Sequence, residues 1–298
     1  MKNIFLLNLL IAIPITTFAQ SGLINSYQFN YLAINPAFAG ENGNFGIKGI
    51  LGNQFNGTLK PNQVSQVVVI DGQLYNKSGL AFQGFRDNSG NLVSTGFGFS
   101  FSKGYEFGDF KLKAGLQASL KVQPNLLTVQ GNQNLSPYAG FGTILFYKNV
   151  FIGISKPMIL ASKNITEPKP LFFHLGFIYD SERLISFNIN TLIARDFTLN
   201  QQNIDLNVVG WLNKRIGLGT SIRNNSLNTF LPKDKNSFLP FAQYKVNSTI
   251  LVGISYDSNV PTFGSQISST LSVPGIFQLF VRFGGKSAGE ESWFFNKF

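Results

Sequence analysis

The chain has 298 residues, of which 31 are phenylalanine and 30 are glycine, and only 13% are charged, which is little charge for a soluble domain of this size. The absence of cysteine excludes disulfides, thiolate metal sites and cysteine nucleophiles. The net charge of +10 is spread along the sequence and not gathered with aromatic residues on one face, so nucleic acid is not an expected partner. A mild attraction to anionic lipid headgroups or polyanionic sugars is expected instead.

Residues 1–19 have the pattern of a secretory signal peptide. Lys2 gives a positive start, an apolar run follows from 4 to 13, and the segment ends in the small residue Ala19. We expect cleavage near Ala19, a mature chain from Gln20, and export to the bacterial envelope. The run is shorter than the roughly 18–20 residues of a membrane-spanning helix, and no later stretch is longer without polar interruption. If the protein lies in a membrane, it must therefore cross the membrane with β-strands and not with helices.

Residues 20–42 are predicted to be a plug or rim segment outside the regular strands. The stretch "QFNYLAINPAFAG" (28–40) is uncharged, and Asn35-Pro36 disfavours helix at Asn35 and lacks a backbone donor at Pro36, so a central strand cannot continue there. We expect either a plug in the periplasmic mouth of the β-barrel that follows, with Gly40 as the pivot into strand one, or an ordered leader packed against the barrel rim. Four large side chains need burial away from lipid: Phe29, Tyr31, Ile34 and Phe38.

Strict alternation of apolar and polar residues dominates the chain from residue 43 to residue 283. From Asp109 to Val122 every even position is apolar or small and the odd positions are mostly polar, which is the period of a half-buried strand. The same pattern predicts about fourteen strands, at 43–55, 63–75, 79–87, 93–107, 109–123, 137–147, 150–157, 171–180, 184–195, 201–212, 215–223, 237–246, 248–257 and 273–283.

These strands predict an all-β fold, a transmembrane antiparallel β-barrel over residues 43–283. Their polar face carries mostly Gly, Ser, Asn, Gln and Thr, which suit a barrel interior, and closure of the barrel pairs every strand edge as the bilayer requires. Aromatic residues at strand ends predict an interfacial girdle: Tyr105, Phe107, Phe146, Tyr147 and Tyr256. The alternative is a secreted β-sandwich or a two-domain lectin.

Short turns alternate with longer polar connections, as in a membrane barrel with one trimmed end and one elaborated end. The longer connections are expected near 123–137, 157–170, 224–236 and 258–265. A C-terminal tail, 284–298, follows the last strand.

The sequence offers little for catalysis or metal binding. His174 is the single histidine, and its position opposite Phe173 and Leu175 predicts a structural side chain facing the lumen. A lipase-type site needs a serine and a carboxylate at suitable spacing, and none stands out. The only oxygen-ligand option is weak, around Asp87-Asn88-Ser89. We therefore expect no enzyme activity, no cofactor and no metal.

Gly-x-Gly pairs are expected to relieve crowding in the lumen, at 96/98, 140/142 and 217/219.

The opening stretch resembles the N-terminal signature of the PorP/SprF family of type IX secretion system membrane proteins. The family motif falls on Phe29, Asn30, Asn35, Pro36, Ala37, Phe38 and Gly40. Further similarity lies in "FIGISKPMI" (151–159), "LFFHLGFIYD" (171–180) and "PFAQYKVNSTILVGISYD" (240–257). The first strand departs from the family pattern, as does "GSQISSTLSVPG" (264–275).

The resemblance implies a barrel in the outer membrane of Bacteroidetes that assists type IX secretion. Its implied partners are outer-membrane lipid, type IX secretion components and a secreted client surface protein, recognised through a C-terminal signal; in some members the client is an adhesin of gliding motility. The alternative function is a passive outer-membrane channel for small solutes, since a barrel of about fourteen strands is wide enough for one. A lumen blocked by Phe29, Tyr31 and Phe38 would favour the secretion role.

Overall fold

The structure, a computed structural model, describes residues 27–41, 43, 45–55, 61–89, 92–124, 133–160, 169–180, 185–197, 201–226, 237–257 and 275–284. Within these ranges fourteen antiparallel strands form one closed barrel, in which each strand pairs with its chain neighbours and the first pairs with the last. The strands are β1 (Gly46–Phe55), β2 (Pro61–Leu74), β3 (Ser78–Ser89), β4 (Leu92–Phe107), β5 (Phe110–Pro124), β6 (Gln133–Tyr147), β7 (Val150–Leu160), β8 (Leu171–Tyr179), β9 (Ile185–Asp196), β10 (Gln201–Leu212), β11 (Ile216–Ser226), β12 (Ser237–Lys245), β13 (Ile250–Asp257) and β14 (Ile276–Gly284).

The barrel confirms the predicted fold class, and each of the fourteen predicted strands is present. Three predicted loops were too wide, because β5 continues to Pro124, β6 begins at Gln133, β7 continues to Leu160 and β11 continues to Ser226. The proline of β7 is accommodated by a shift of the β6–β7 register between Ala139 and Phe141, as expected where proline interrupts a ladder.

Several sequence predictions lie outside the described residues. They are the signal peptide at 1–19, residues 20–26 and 42 of the predicted plug or rim segment, the C-terminal tail from residue 285, the connection at 258–265, and the central parts of the other three longer connections. In the part of the chain that is described, no helix is long and apolar enough to cross a membrane.

The outer surface of the barrel is apolar and the inner surface is mostly polar. In β8 the outward side chains of Phe173 and Leu175 are 41% and 53% exposed, whereas the inward His174 is 2% exposed. The alternation that defined the strands therefore separates a lipid-facing surface from a lumenal one.

The predicted aromatic girdle is largely correct. Tyr105, Phe107, Tyr147 and Tyr256 are all exposed on the outer surface. The prediction for Phe146 is wrong, because neighbours in a strand point to opposite faces; Phe146 is buried and its ring centroid lies 5.8 Å from that of Phe151 in the lumen.

The two ends of the barrel differ in the length of their connections. The end that carries the tight turns 75–77, 108–109, 148–149 and 213–215 is called the short-turn end. The other end carries the longest connections, 161–170, 227–236 and 258–275. Since outer-membrane barrels have short periplasmic turns and longer extracellular loops, we expect the short-turn end to face the periplasm.

A charge on the lipid-facing surface should destabilise the barrel. Leu116 is 65% exposed in the middle of β5, and Leu116→Arg is expected to cost about 2–4 kcal/mol of unfolding free energy because arginine is poorly solvated in hydrocarbon. Urea unfolding in lipid vesicles measures this cost. Asn149→Arg, in an exposed turn, is the control and should change little; equal losses in both variants would contradict a lipid-facing position for Leu116.

Candidate functional site

The chain places its own N-terminal segment inside the barrel. Residues 27–41, called the plug, are all buried and contain three short 3₁₀ helices, Tyr27–Phe29, Tyr31–Ala33 and Pro36–Phe38. The third helix begins at Pro36, where the Asn35 side chain accepts a hydrogen bond from the Ala37 backbone N–H at 2.9 Å and Pro36 occupies the first helical position.

The plug lies at one level of the lumen, in the half near the short-turn end. Its side-chain and backbone contacts fall three to five residues from the short-turn end of each strand, on β4, β5, β6, β7, β8, β9, β10, β12 and β14. This offset corresponds to about 10–17 Å along a strand. The plug therefore crosses the lumen as a layer and does not pack on the outside of the rim.

Apolar side chains of the plug pack against both sides of the barrel wall. Phe29, Leu32, Ala33 and Ala39 belong to one buried cluster whose wall residues come from β1, β2, β3, β10, β12, β13 and β14, and the Phe29 ring stacks on that of Phe280 at 4.9 Å. The remaining apolar plug residues pack in a second cluster against β6, β7, β8 and β9. The plug thus spans the lumen from wall to wall.

Wall side chains bind the main-chain carbonyls of the plug. Ser155 Oγ donates to the Ile34 carbonyl at 2.5 Å, and the Ala39 carbonyl accepts from Ser102 Oγ and Lys113 Nζ, both at 2.8 Å. In return, Asn35 Nδ2 donates to the Thr143 carbonyl at 3.1 Å. These bonds satisfy backbone groups that have neither a regular helix nor a sheet ladder to pair with.

Two tyrosines extend the polar contacts to the neighbouring strands. Asn207 Nδ2 donates to the Tyr27 hydroxyl, and Asn190 Nδ2 donates to the Tyr31 hydroxyl at 3.3 Å. Burial raises the pKa of both tyrosine hydroxyls, so both remain neutral inside the lumen.

Buried ion pairs modify the predicted lumen of small uncharged side chains. Lys113 Nζ lies 2.6 Å from Glu41 Oε1 at the exit of the plug. Arg223 Nε lies 2.8 Å from Asp205 Oδ2, and Arg223 also approaches Asp257 at 3.5 Å. Asp205 and Arg223 are direct partners in the β10–β11 register. The two residues lie equally far along the chain from the turn at 213–215, so their positions in the sequence could have indicated that they face each other across the hairpin.

Glycines in the wall let the plug approach closely. A Cβ on Gly115 would lie 2.4 Å from the Ala37 nitrogen, and one on Gly142 would lie 2.1 Å from Asn35 Oδ1. Gly40 has a φ of +78°, and a Cβ there would lie 2.7 Å from the Cα of Gly79. Gly142 thus relieves lumenal crowding as its Gly-x-Gly pair suggested, and Gly40 supplies the left-handed turn by which the plug leaves the lumen.

His174 faces the lumen, as predicted, and packs between aromatic rings. Its ring lies 5.1 Å from that of Tyr31 and 4.8 Å from that of Phe151, and its Nε2 is 3.4 Å from Asn190 Oδ1. This environment suits a packing residue that contacts the plug. At the weak oxygen-ligand site around Asp87-Asn88-Ser89, Asp87 accepts a hydrogen bond from Ser65 Oγ at 2.6 Å. The described residues contain no group of three His, Cys, Asp or Glu side chains that could hold a metal ion.

The structure brings the predicted site residues together in the plug: Phe29, Asn30, Asn35, Pro36, Ala37, Phe38 and Gly40. Sequence reasoning missed the wall that holds them. Part of that wall has a sequence signal, because the apolar runs 67–70, 144–147 and 171–173 break the alternation and place Val67, Val69, Ile144 and Phe172 inward, against or near the plug.

These features define a class, the outer-membrane β-barrel whose lumen is filled by its own N-terminal segment. Similar barrels include the Acinetobacter baumannii outer membrane protein Omp33, with a TM-score of 0.52 and 8% identity over 81% of this chain and 98% of that one. The Ralstonia pickettii toluene transporter TbuX has a TM-score of 0.50 and 9% identity, over 84% of this chain and 92% of its own. At such identities the likeness concerns the fold alone.

The sequence identifies the family. The family described as "Type IX secretion system membrane protein PorP/SprF" matches residues 16–283, and the chain belongs to it. The protein is therefore a bacterial outer-membrane component of type IX secretion. No curated protein matches the chain.

Adding a methyl group at a wall glycine should disturb the plug. Gly115→Ala is expected to cost about 1–3 kcal/mol of unfolding free energy through overpacking against the plug backbone, measured by urea unfolding in vesicles. Gly49→Ala is the matched control, since a Cβ there meets nothing within 4 Å. Equal stability of the two variants would contradict the close approach.

The Lys113–Glu41 pair should show strong energetic coupling. Lys113→Met leaves the Glu41 carboxylate buried without its closest cation and is expected to cost about 3–5 kcal/mol. Adding Glu41→Gln should restore part of that loss. A double-mutant cycle measures the coupling, and additive effects would mean that the two side chains do not interact.

Proposed function

We propose that the protein is a non-enzymatic accessory of type IX secretion that assists the export or surface attachment of a dedicated client, such as an adhesin. The observation that carries this proposal is the plug. A lumen occupied by fifteen buried residues of the same chain offers no ready path for a solute, so the barrel's surfaces are its functional parts. Membership of the PorP/SprF family supports an association with secretion components.

The two ends of the barrel would serve different partners. We propose that the extracellular connections, near 123–137, 157–170, 224–236 and 258–265, dock the C-terminal signal of the client. The plug and the periplasmic turns would face the secretion machinery. In this arrangement the plug residues Asn35, Pro36 and Gly40 act by holding the periplasmic mouth in one shape.

A passive channel is the competing function, and the burial of the inner surface argues against it. Inward side chains are buried at the plug level and also farther from the short-turn end, where Ser136 is 0% and Asp196 is 1% exposed. An open water-filled channel would leave such polar side chains accessible to solvent.

Comparison of the cell-surface and medium proteomes with and without the gene tests the proposed role. We expect selective loss of one or a few large surface proteins, restored by the native gene, while other secreted proteins serve as internal controls. Complementation with Gly49→Ala should restore the client, and Gly115→Ala should restore less because its plug is disturbed. An unchanged surface proteome would overturn the accessory role.

Electrical recording tests the channel alternative separately. The purified native barrel in a planar lipid bilayer is expected to carry no steady ion current, because the plug crosses the lumen. Deletion of residues 27–40 should open a current in the molecules that still fold, as judged by heat-modifiable gel migration. A steady current through the native barrel would favour solute permeation.

A further inference from the structure

Three tight turns at the short-turn end hold a lysine in the left-handed backbone region. The φ angles are +57° at Lys77, +52° at Lys148 and +53° at Lys214. Glycine usually occupies such positions because it has no Cβ, and asparagine is tolerated because its short polar side chain can hydrogen-bond locally, whereas lysine is strained there. The sequence thus places positive charge at turn tips where glycine would be unstrained, and backbone strain of this kind points to a function.

These lysines belong to a larger set of cations at the same end. We use the name basic collar for Lys77, Lys103, Lys148, Lys214, Arg215 and Lys245, which lie in or beside the turns after β2, β6, β10 and β12 and are not buried. The turns are distributed around most of the barrel circumference. The collar is therefore a ring and not a one-sided patch.

The collar retains excess positive charge after its internal ion pairs are counted. Glu106 pairs with Lys77, and Asp180 lies 2.9 Å from Lys214. Asp109, in the turn after β4, is the third carboxylate at this end that is both described and not buried. Three such acids face the six cations of the collar, so the described part of the short-turn end carries excess positive charge and attracts anions.

Exposed tyrosines accompany the collar. Tyr75 is 94% exposed, and Tyr147, Tyr179 and Tyr244 are 40–47% exposed at the ends of their strands. Lys148 Nζ lies 5.3 Å from the centroid of the Tyr147 ring. Tyrosines of this kind mark the level of the lipid headgroups, so the cations lie where phosphate groups are found.

We propose that the basic collar binds the phosphate groups of anionic phospholipids in the periplasmic leaflet of the outer membrane. A ring of cations at headgroup level matches an annulus of lipid, whereas a docked protein would need a continuous patch on one side. The collar would fix the height of the barrel in the membrane and keep the periplasmic mouth at a constant distance from the leaflet.

Lipid retention in native mass spectrometry tests the proposal. The native protein is placed in nanodiscs of equal phosphatidylglycerol and phosphatidylcholine, released into mild detergent, and its bound lipids are counted. We expect a several-fold excess of phosphatidylglycerol that falls as ionic strength rises. The triple variant Lys77→Asn, Lys148→Asn and Lys214→Asn should lose most of this excess. Asparagine is chosen because it tolerates the left-handed backbone of these turns.

A variant with three cations removed at the other end is the matched control. Arg86→Asn, Lys156→Asn and Lys169→Asn together should keep the excess. Equal retention of both lipids by the native protein, or the same excess in both variants, would overturn the proposal. Loss of secretion in the collar variant without any lipid preference in the native protein would assign the collar to an acidic protein partner instead. If the collar variant fails to fold, the salt dependence of phosphatidylglycerol retention by the native protein tests the proposal. Retention that does not fall as ionic strength rises would overturn it.

Discussion

The main chain of the plug lies buried inside the barrel, where it is not part of a sheet ladder. Its backbone groups therefore need hydrogen-bond partners from the barrel wall. Inside a closed barrel an irregular segment is stable only if the wall provides those partners, because an unpaired buried carbonyl is costly. Ser155, Ser102 and Lys113 donate to the carbonyls of Ile34 and Ala39. The rest of the lumenal architecture depends on this match between wall and plug.

The same match shapes the wall in other ways. Gly115 and Gly142 remove side chains where the plug backbone must approach, and Lys113 joins a plug carbonyl to the buried Glu41 carboxylate. A wall fitted in this way to one sequence is specific for its own chain and unsuited to passing solutes. This fit of wall to plug supports our proposal that the two rims of the barrel are the surfaces that dock partners.

The strands were predictable because each depends on local alternation, which holds even where the polar face is only Gly and Ser, as at 96–102. The plug segment was recognisable for a local reason too, since Asn35-Pro36 ends a strand. Its wall partners were not predictable, because Ser102 lies 63 residues from Ala39 and Ser155 lies 121 residues from Ile34. Such contacts exist only once the whole barrel has closed. The error for Phe146 was avoidable, because its neighbour Tyr147 faces outward and adjacent side chains of a strand point to opposite faces.

The most direct test of a chain-filled lumen is thiol accessibility, for which the cysteine-free sequence is well suited. A single Ala33→Cys substitution places a thiol in the plug, at a site that is 4% exposed, and Tyr75→Cys places one at a turn that is 94% exposed. With a polar maleimide added to opened outer membranes, our account predicts rapid labelling at position 75 and labelling at position 33 only after unfolding. Rapid labelling at both positions in the folded barrel would contradict it.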